Sequence, residues 1–230
     1  MRKKKNLAER VFACSGLLIC KLYNTGEEPE AKLLDFCKIY GNSDPVWLEI
    51  GCGKGGFVNQ AAKIYPHINF LAAEKIENVA VSALERTKLE KIPNIRYITG
   101  MAEYLGHVIA PNSVKRIYLN FSCPFPKERH AKHRLTHPAH LEIYKRILTA
   151  NGLIIFKTDN RSFFEYSQES LSSCGFHIQN VTHDLHNSGI TGNIITEYEK
   201  IFTKQGQKIN YLEAIVDKQA ISCYTKSDKI

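Results

Sequence analysis

The chain has 230 residues, enough for one α/β domain with a substantial core and too few for two ordinary ones. Lysine and arginine (31) exceed aspartate and glutamate (23), and the formal charge of +8 favours a polyanionic partner without specifying a fold. Seven widely spaced cysteines with no C-x-x-C pair exclude a disulfide framework and a cysteine-rich zinc site, and fit a reducing cytoplasm.

In chain order, Met1-Arg2-Lys3-Lys4-Lys5 is followed by Asn6, Glu9 and Arg10, and the stretch Val11 to Ile19 contains Ser15 and Gly16. Such a segment is expected to be neither a secretory signal nor a membrane span. Residues 1–45 read as a basic extension packed on the main domain, ending in the turn-like Gly41-Asn42-Ser43-Asp44-Pro45. Residues 46–216 read as the main domain, and 217–230 as a polar tail that frays or folds back. Short apolar runs predict strands at Val46–Ile50, Asn69–Ala73, Ile95–Thr99, Lys115–Phe121 and Leu153–Lys157. Helices are predicted at Gly56–Ile64, Glu77–Lys91, Pro138–Leu148 and Arg161–Cys174. The second carries an inward stripe of Val79, Ala83, Leu84 and Leu89, and the last is capped by Asn160 and ended by Gly175. Glu197–Thr203 and Lys208–Glu213 read as two further strands joined near Gly206, an antiparallel hairpin closing the sheet. The alternation implies an α/β fold: a mostly parallel seven-stranded sheet, helices on both faces, ligands at the carboxyl ends of the strands.

Trp47 to Gly56 runs from a strand into a glycine-rich turn, Gly51-x-Gly53-x-Gly55, and then into a helix. Gly56 also satisfies the longer spacing of a dinucleotide loop, so the glycines do not identify the ligand by themselves. Glu49 does so better: an acid in front of the loop suits a positively charged sulfonium and suits a pyrophosphate poorly. The next strand ends in Glu74, placed to accept ribose hydroxyls. S-adenosylmethionine is therefore the expected cofactor.

After the fourth strand comes Leu119-Asn120-Phe121-Ser122-Cys123-Pro124-Phe125-Pro126-Lys127-Glu128-Arg129-His130-Ala131-Lys132-His133-Arg134-Leu135-Thr136. Proline-stiffened backbone, cations for phosphates and flat rings for bases are what a polynucleotide site needs. This block resembles the N-F-x-D-P-W-P-K-x-R-H-x-K-R-R-L pattern of the bacterial tRNA (guanine-N-7)-methyltransferase family. Phe156-Lys157-Thr158-Asp159-Asn160, Thr196-Glu197-Tyr198-Glu199 with Phe202 and Gly206, and the glycine loop match in the same order.

The resemblance implies a class I, Rossmann-like methyltransferase. It would transfer a methyl group from S-adenosylmethionine to N-7 of a guanine in the tRNA variable loop, expected to be guanine 46. It further implies cofactor contacts at Glu49, Gly51, Gly53, Gly55, Glu74, Met101 and Cys123. It implies tRNA or guanine contacts at Lys127, Arg129, His130, Lys132, Arg134, Asp159, Thr196, Glu197, Tyr198 and Glu199. Lys3 to Lys5 become candidates for a mobile clamp on the tRNA backbone. The expected state is a cytoplasmic monomer or homodimer with tRNA as partner and no membrane association.

Two acids of the family pattern are missing. Cys123 stands where the pattern has aspartate, and Met101 stands where it has an acid after the third strand; Glu103 could substitute from the same loop. The pattern's tryptophan is Phe125, and one of its arginines is His133. N-7 carries a lone pair and no proton, so the reaction needs in-line placement and no general base. A thiol at Cys123 gives less stabilisation of the cationic product than a carboxylate, which predicts a slower enzyme. Three other readings stay open: a tRNA-binding relative that has lost catalysis, a nucleophilic Cys123 acting on cytosine, and a Pro-aromatic loop clamping adenine. His130, His133, His137 and His140 have zinc-like spacing, but Pro138 interrupts them and the chemistry needs no metal.

Overall fold

The computed structural model describes residues 4–22 and 33–216. Their elements run α1 (Leu7–Phe12), β1 (Leu18–Leu22), α2 (Phe36–Tyr40), β2 (Val46–Ile50), α3 (Gly56–Ile64), β3 (Asn69–Glu74), α4 (Glu77–Leu89) and β4 (Ile95–Gly100). There follow α5 (Leu105–Val108), β5 (Val114–Asn120), α6 (Pro138–Ile147), β6 (Leu148–Thr158), α7 (Arg161–Ser173), β7 (Phe176–Thr182), α8 (Glu197–Lys204) and β8 (Asn210–Val216). One sheet of eight strands has the order β1-β4-β3-β2-β5-β6-β8-β7. Pairing is parallel from β1 to β6, and β8 runs antiparallel to both β6 and β7.

The central strands are buried on both faces, as helices on both sides of a parallel sheet require. Alternation along β2 sends Val46, Leu48 and Ile50 into one core with Leu141, Tyr144 and Phe164. Trp47 enters the other core, with Phe57 and Val58 of α3 and Ala83 and Leu84 of α4. In α4 the buried face is Ala80, Val81, Ala83, Leu84 and Thr87. Leu89, placed on that stripe by sequence, is 83% exposed at the helix end. Asn160 caps α7, its side chain accepting from Phe163 N, and Gly175 follows the helix at φ +78°.

Three features depart from the sequence expectation. Glu197–Thr203 is helical, because the Thr196 hydroxyl accepts from Glu199 N at 2.9 Å while Glu199 accepts from Thr196 N at 3.2 Å. That reciprocal capping box starts α8. The antiparallel pair is therefore β7 with β8, and Gly206 follows a helix instead of joining two strands. The sheet has eight strands instead of seven, since β1 and β7 add one edge each. Within the basic extension, Arg10 pairs with Glu85 of α4 at 2.7 Å, and the Lys4 ammonium bonds to Ser82. Lys4 is thus held against α4 and Lys5 is exposed, while Lys3 lies outside the described residues. So does the whole of 217–230, the expected tail.

Candidate functional site

The strand order reverses at β2, with β3 and β4 to one side and β5 and β6 to the other. Helices leave opposite faces at such a switch point and open a crevice at the strand ends. A cavity of about 420 Å³ lies there.

Its inner wall is polar. Glu49, near the end of β2, is 3% exposed, and Asn120 at the end of β5 donates to its Oε1 at 3.1 Å. The bond spans the switch point. Glu49 Oε2, Asn120 Oδ1 and Ser122 Oγ are buried with no hydrogen-bond partner among the described residues. Each such atom costs about 1–3 kcal/mol unless a ligand satisfies it. Burial pushes the Glu49 carboxyl up to about 7, against the opposing pull of Asn120 and Lys157.

The glycine loop forms the adjoining wall. Gly51 N donates to Ala73 O at 2.8 Å, and Gly53 N donates to Glu74 Oε2 at 3.0 Å. Glu74 Oε1 accepts from Ile76 N at 2.9 Å, so the Glu74 carboxylate is fixed from both sides of the cleft floor. Gly53 at φ +58° aims its N–H along this path, a conformation that disfavours a side chain. Gly55 has a different task. A Cβ there would approach Ala83 Cβ to 2.9 Å, so glycine is what lets α3 begin against α4.

The opposite wall comes from the 121–135 loop and the start of α8. Phe121, Cys123, Phe125, His133, Thr196, Glu197 and Tyr198 all line the cleft. Glu197 is paired with Arg86 at 2.8 Å. Tyr198, 60% exposed, stacks with Phe121 at 6.3 Å between ring centres. Beneath this wall, Lys157 Nζ donates to Glu199 Oε2 at 2.9 Å, to Ile194 O at 2.9 Å and to Asn193 Oδ1 at 3.0 Å. Asn193 Nδ2 donates to Glu199 Oε1 at 2.6 Å, and His186 lies 3.2 Å from the same oxygen. Burial lowers the Lys157 pKa, while Glu199 opposes the shift.

Glu49, Gly51, Gly53, Glu74, Cys123, Thr196, Glu197 and Tyr198 are thus brought to one cleft. Others are not. Met101 is absent from the lining, although its neighbours Gly100, Ala102 and Glu103 belong to it. Glu199 is fully buried and saturated by framework partners, which leaves it no face toward the cleft. Arg134 is buried too. Its guanidinium donates to Pro124 O at 3.2 Å and Phe125 O at 3.1 Å and lies 4.2 Å over the Tyr166 ring. It staples the loop instead of facing solvent. Lys127, Arg129 and Lys132 are exposed on that loop, with His130 half-buried beside them. Asp159 is exposed beyond the end of β6, outside the lining; the capping task falls to Asn160. The four histidines do not converge, and among the described residues no three metal-ligating side chains do.

Sequence reasoning did not single out Asn120, Phe121, Ser122 or Lys157. Lys157 had a signal, a lone cation at the end of an otherwise apolar run.

A family model described as "Putative methyltransferase" matches residues 43–212. A tRNA (guanine-N(7)-)-methyltransferase of Geobacillus thermodenitrificans is 46% identical over 82% of this chain and 87% of its own. One from Listeria monocytogenes is 46% identical over 79% of this chain and 85% of its own. Among solved structures, the 16S rRNA methyltransferase KamB superposes with TM-score 0.59 at 14% identity, covering 81% of this chain and 95% of that one. A phosphoethanolamine N-methyltransferase of Haemonchus contortus in complex with S-adenosylmethionine gives 0.51 at 17%, over 76% and 49%. At such identity the likeness is one of fold.

Proposed function

The chain belongs to the tRNA (guanine-N(7)-)-methyltransferase family, whose cofactor is S-adenosylmethionine, and from that premise we propose that its target is the guanine of the tRNA variable loop, guanine 46. One cleft holds both reactants. What supports this reading is that three unsatisfied buried polar atoms, on Glu49, Asn120 and Ser122, share a cavity with the glycine loop and the Thr196–Tyr198 segment.

The residues fit the cofactor. Glu49 offers a buried acceptor to a cationic group, Glu74 retains acceptor capacity for hydroxyls, and Gly51 and Gly53 keep the backbone close without a side chain between. When bound, S-adenosylmethionine supplies a methyl on a positively charged sulfur; the N-7 lone pair forms the new bond, sulfur keeps the electrons of the old one, and the charge passes to the purine. No proton moves at N-7, so the reaction asks no general base of the wall. The protein's contribution is placement: Glu49 and Glu74 on one side, the 121–135 loop and α8 on the other. Cys123 has its place in the cleft.

Lys127, Arg129 and Lys132 would take phosphates, so tRNA affinity should fall steeply with salt. Among the described residues no helix is long and apolar enough to cross a membrane. The proposed setting is the cytoplasm, as monomer or homodimer. The test is unmodified tRNA incubated with labelled cofactor, followed by strand scission at 7-methylguanine. A cut in the variable loop is expected; its absence, with cofactor demonstrably bound, would overturn the assignment.

A further inference from the structure

Two non-glycine residues of the cleft have left-handed backbone, Phe121 at φ +50° and Phe125 at φ +41°, and they flank Cys123 on either side. For bulky side chains such conformations cost about 1–3 kcal/mol each and persist only where the surroundings over-determine them. Here the surroundings do. Phe121 N donates to Lys157 O at 2.8 Å, and the buried Arg134 guanidinium grips Phe125 O at 3.1 Å. Both phenylalanines line the cavity. Phe121 stacks with Tyr198 at an interplanar angle of 22°, and Phe125 lies 5.6 Å from the His133 ring. All four rings line the same cavity.

The charges nearby do not duplicate this wall. On this wall Glu197 is paired with Arg86, Glu199 is consumed by Lys157 beneath it, and the position between the two phenylalanines is a thiol; the other acids lining the cleft, Glu49, Glu74 and Glu103, stand on its other walls. Guanine methylated at N-7 is a cation, and cations are attracted to aromatic faces, most strongly out of water. We propose that the Phe121–Tyr198 and Phe125 rings form an aromatic wall that stabilises the positive charge arriving on the purine, in place of a carboxylate at Cys123. This rests on the N-7 assignment above. A consequence follows for turnover: the wall holds the methylated base more tightly than the unmethylated one, which slows product release.

The test uses the full-length protein titrated with guanosine monophosphate and with 7-methylguanosine monophosphate, followed by NMR. Wild type is expected to bind the methylated nucleotide roughly three- to tenfold more tightly, the range of one or two cation–π contacts. Tyr198 is exposed, so Tyr198→Leu should fold normally and bring the ratio close to one, while Tyr198→Phe keeps it. Phe125→Leu reports on the other side of the wall. Equal or undetectable binding of the two nucleotides by wild type would overturn the inference. So would a ratio left undiminished in both leucine variants. A parallel tRNA assay separates the failures. Methylation at guanine N-7 without a nucleotide preference removes the aromatic wall alone, and no methylation removes the function beneath it.

Discussion

Glu49 and Glu199 are both buried carboxylates, at 3% and 0% exposure, yet they are built for opposite ends. Glu199 has Lys157, Asn193 and its own helix N-terminus; both its oxygens are engaged. Glu49 has Asn120 on one oxygen and no hydrogen bond among the described residues on the other, with the Val58 backbone N–H near the carboxylate. A saturated buried ion pair is framework, and half-satisfied polarity facing a cavity marks the place a ligand completes. Burial alone does not distinguish the two; the unfilled valence does.

The largest effect is expected on the framework side. Glu199→Ala leaves the Lys157 ammonium buried without its counter-charge and should cost about 3–5 kcal/mol, read as a fall in denaturant midpoint. If stability hardly changes while tRNA methylation disappears, Glu199 belongs to the site and the contrast with Glu49 fails. Replacing both partners, Lys157→Met with Glu199→Leu, should recover much of the stability, since no lone charge remains.

A smaller effect separates the two acids by pH. The Glu49 carboxyl is raised in the folded state from 4.5 to about 7, so protonation favours folding. Its contribution is complete below the unfolded value near 4.5 and is lost as pH rises through about 7. The difference in unfolding free energy between wild type and Glu49→Gln, followed from pH 4 to 8 without cofactor, should shrink in wild type's disfavour across that window. Carboxylates held low by partners, such as Glu85 beside Arg10, move the other way and cancel in the difference. A flat difference would mean that the Glu49 carboxyl titrates alike in the folded and unfolded chain, unshifted by burial.

Smallest is the effect of restoring an acid on the cleft wall. Cys123→Asp should raise the single-turnover rate by up to about tenfold, less than a fully buried electrostatic group supplies, because position 123 is exposed. No gain would leave charge stabilisation to the aromatic rings alone.

The part of the cleft around the glycine loop was legible in the sequence because its signals are local. An apolar run, Glu49, spaced glycines and a helix starting at Gly56 follow one another, and the helix spans the predicted Gly56–Ile64. The part formed by the start of α8 was harder. Glu197–Thr203 alternates enough to imitate a strand, and the T-x-x-E signature of a capping box in Thr196–Glu199 outweighs that pattern. β7 hid because an edge strand buries little and shows weak alternation. Matching motifs placed Arg134 and Glu199 on the tRNA side, but their side chains turn inward, which only packing reveals.

If the unfilled oxygen of Glu49 serves the cofactor, losing its charge must show in cofactor affinity. Calorimetric titration of S-adenosylmethionine into wild type and Glu49→Gln tests it most directly. The expected result is at least a roughly tenfold loss of affinity in the variant, the scale of a charge-assisted hydrogen bond, with folding retained. Equal affinity in the two proteins would contradict it.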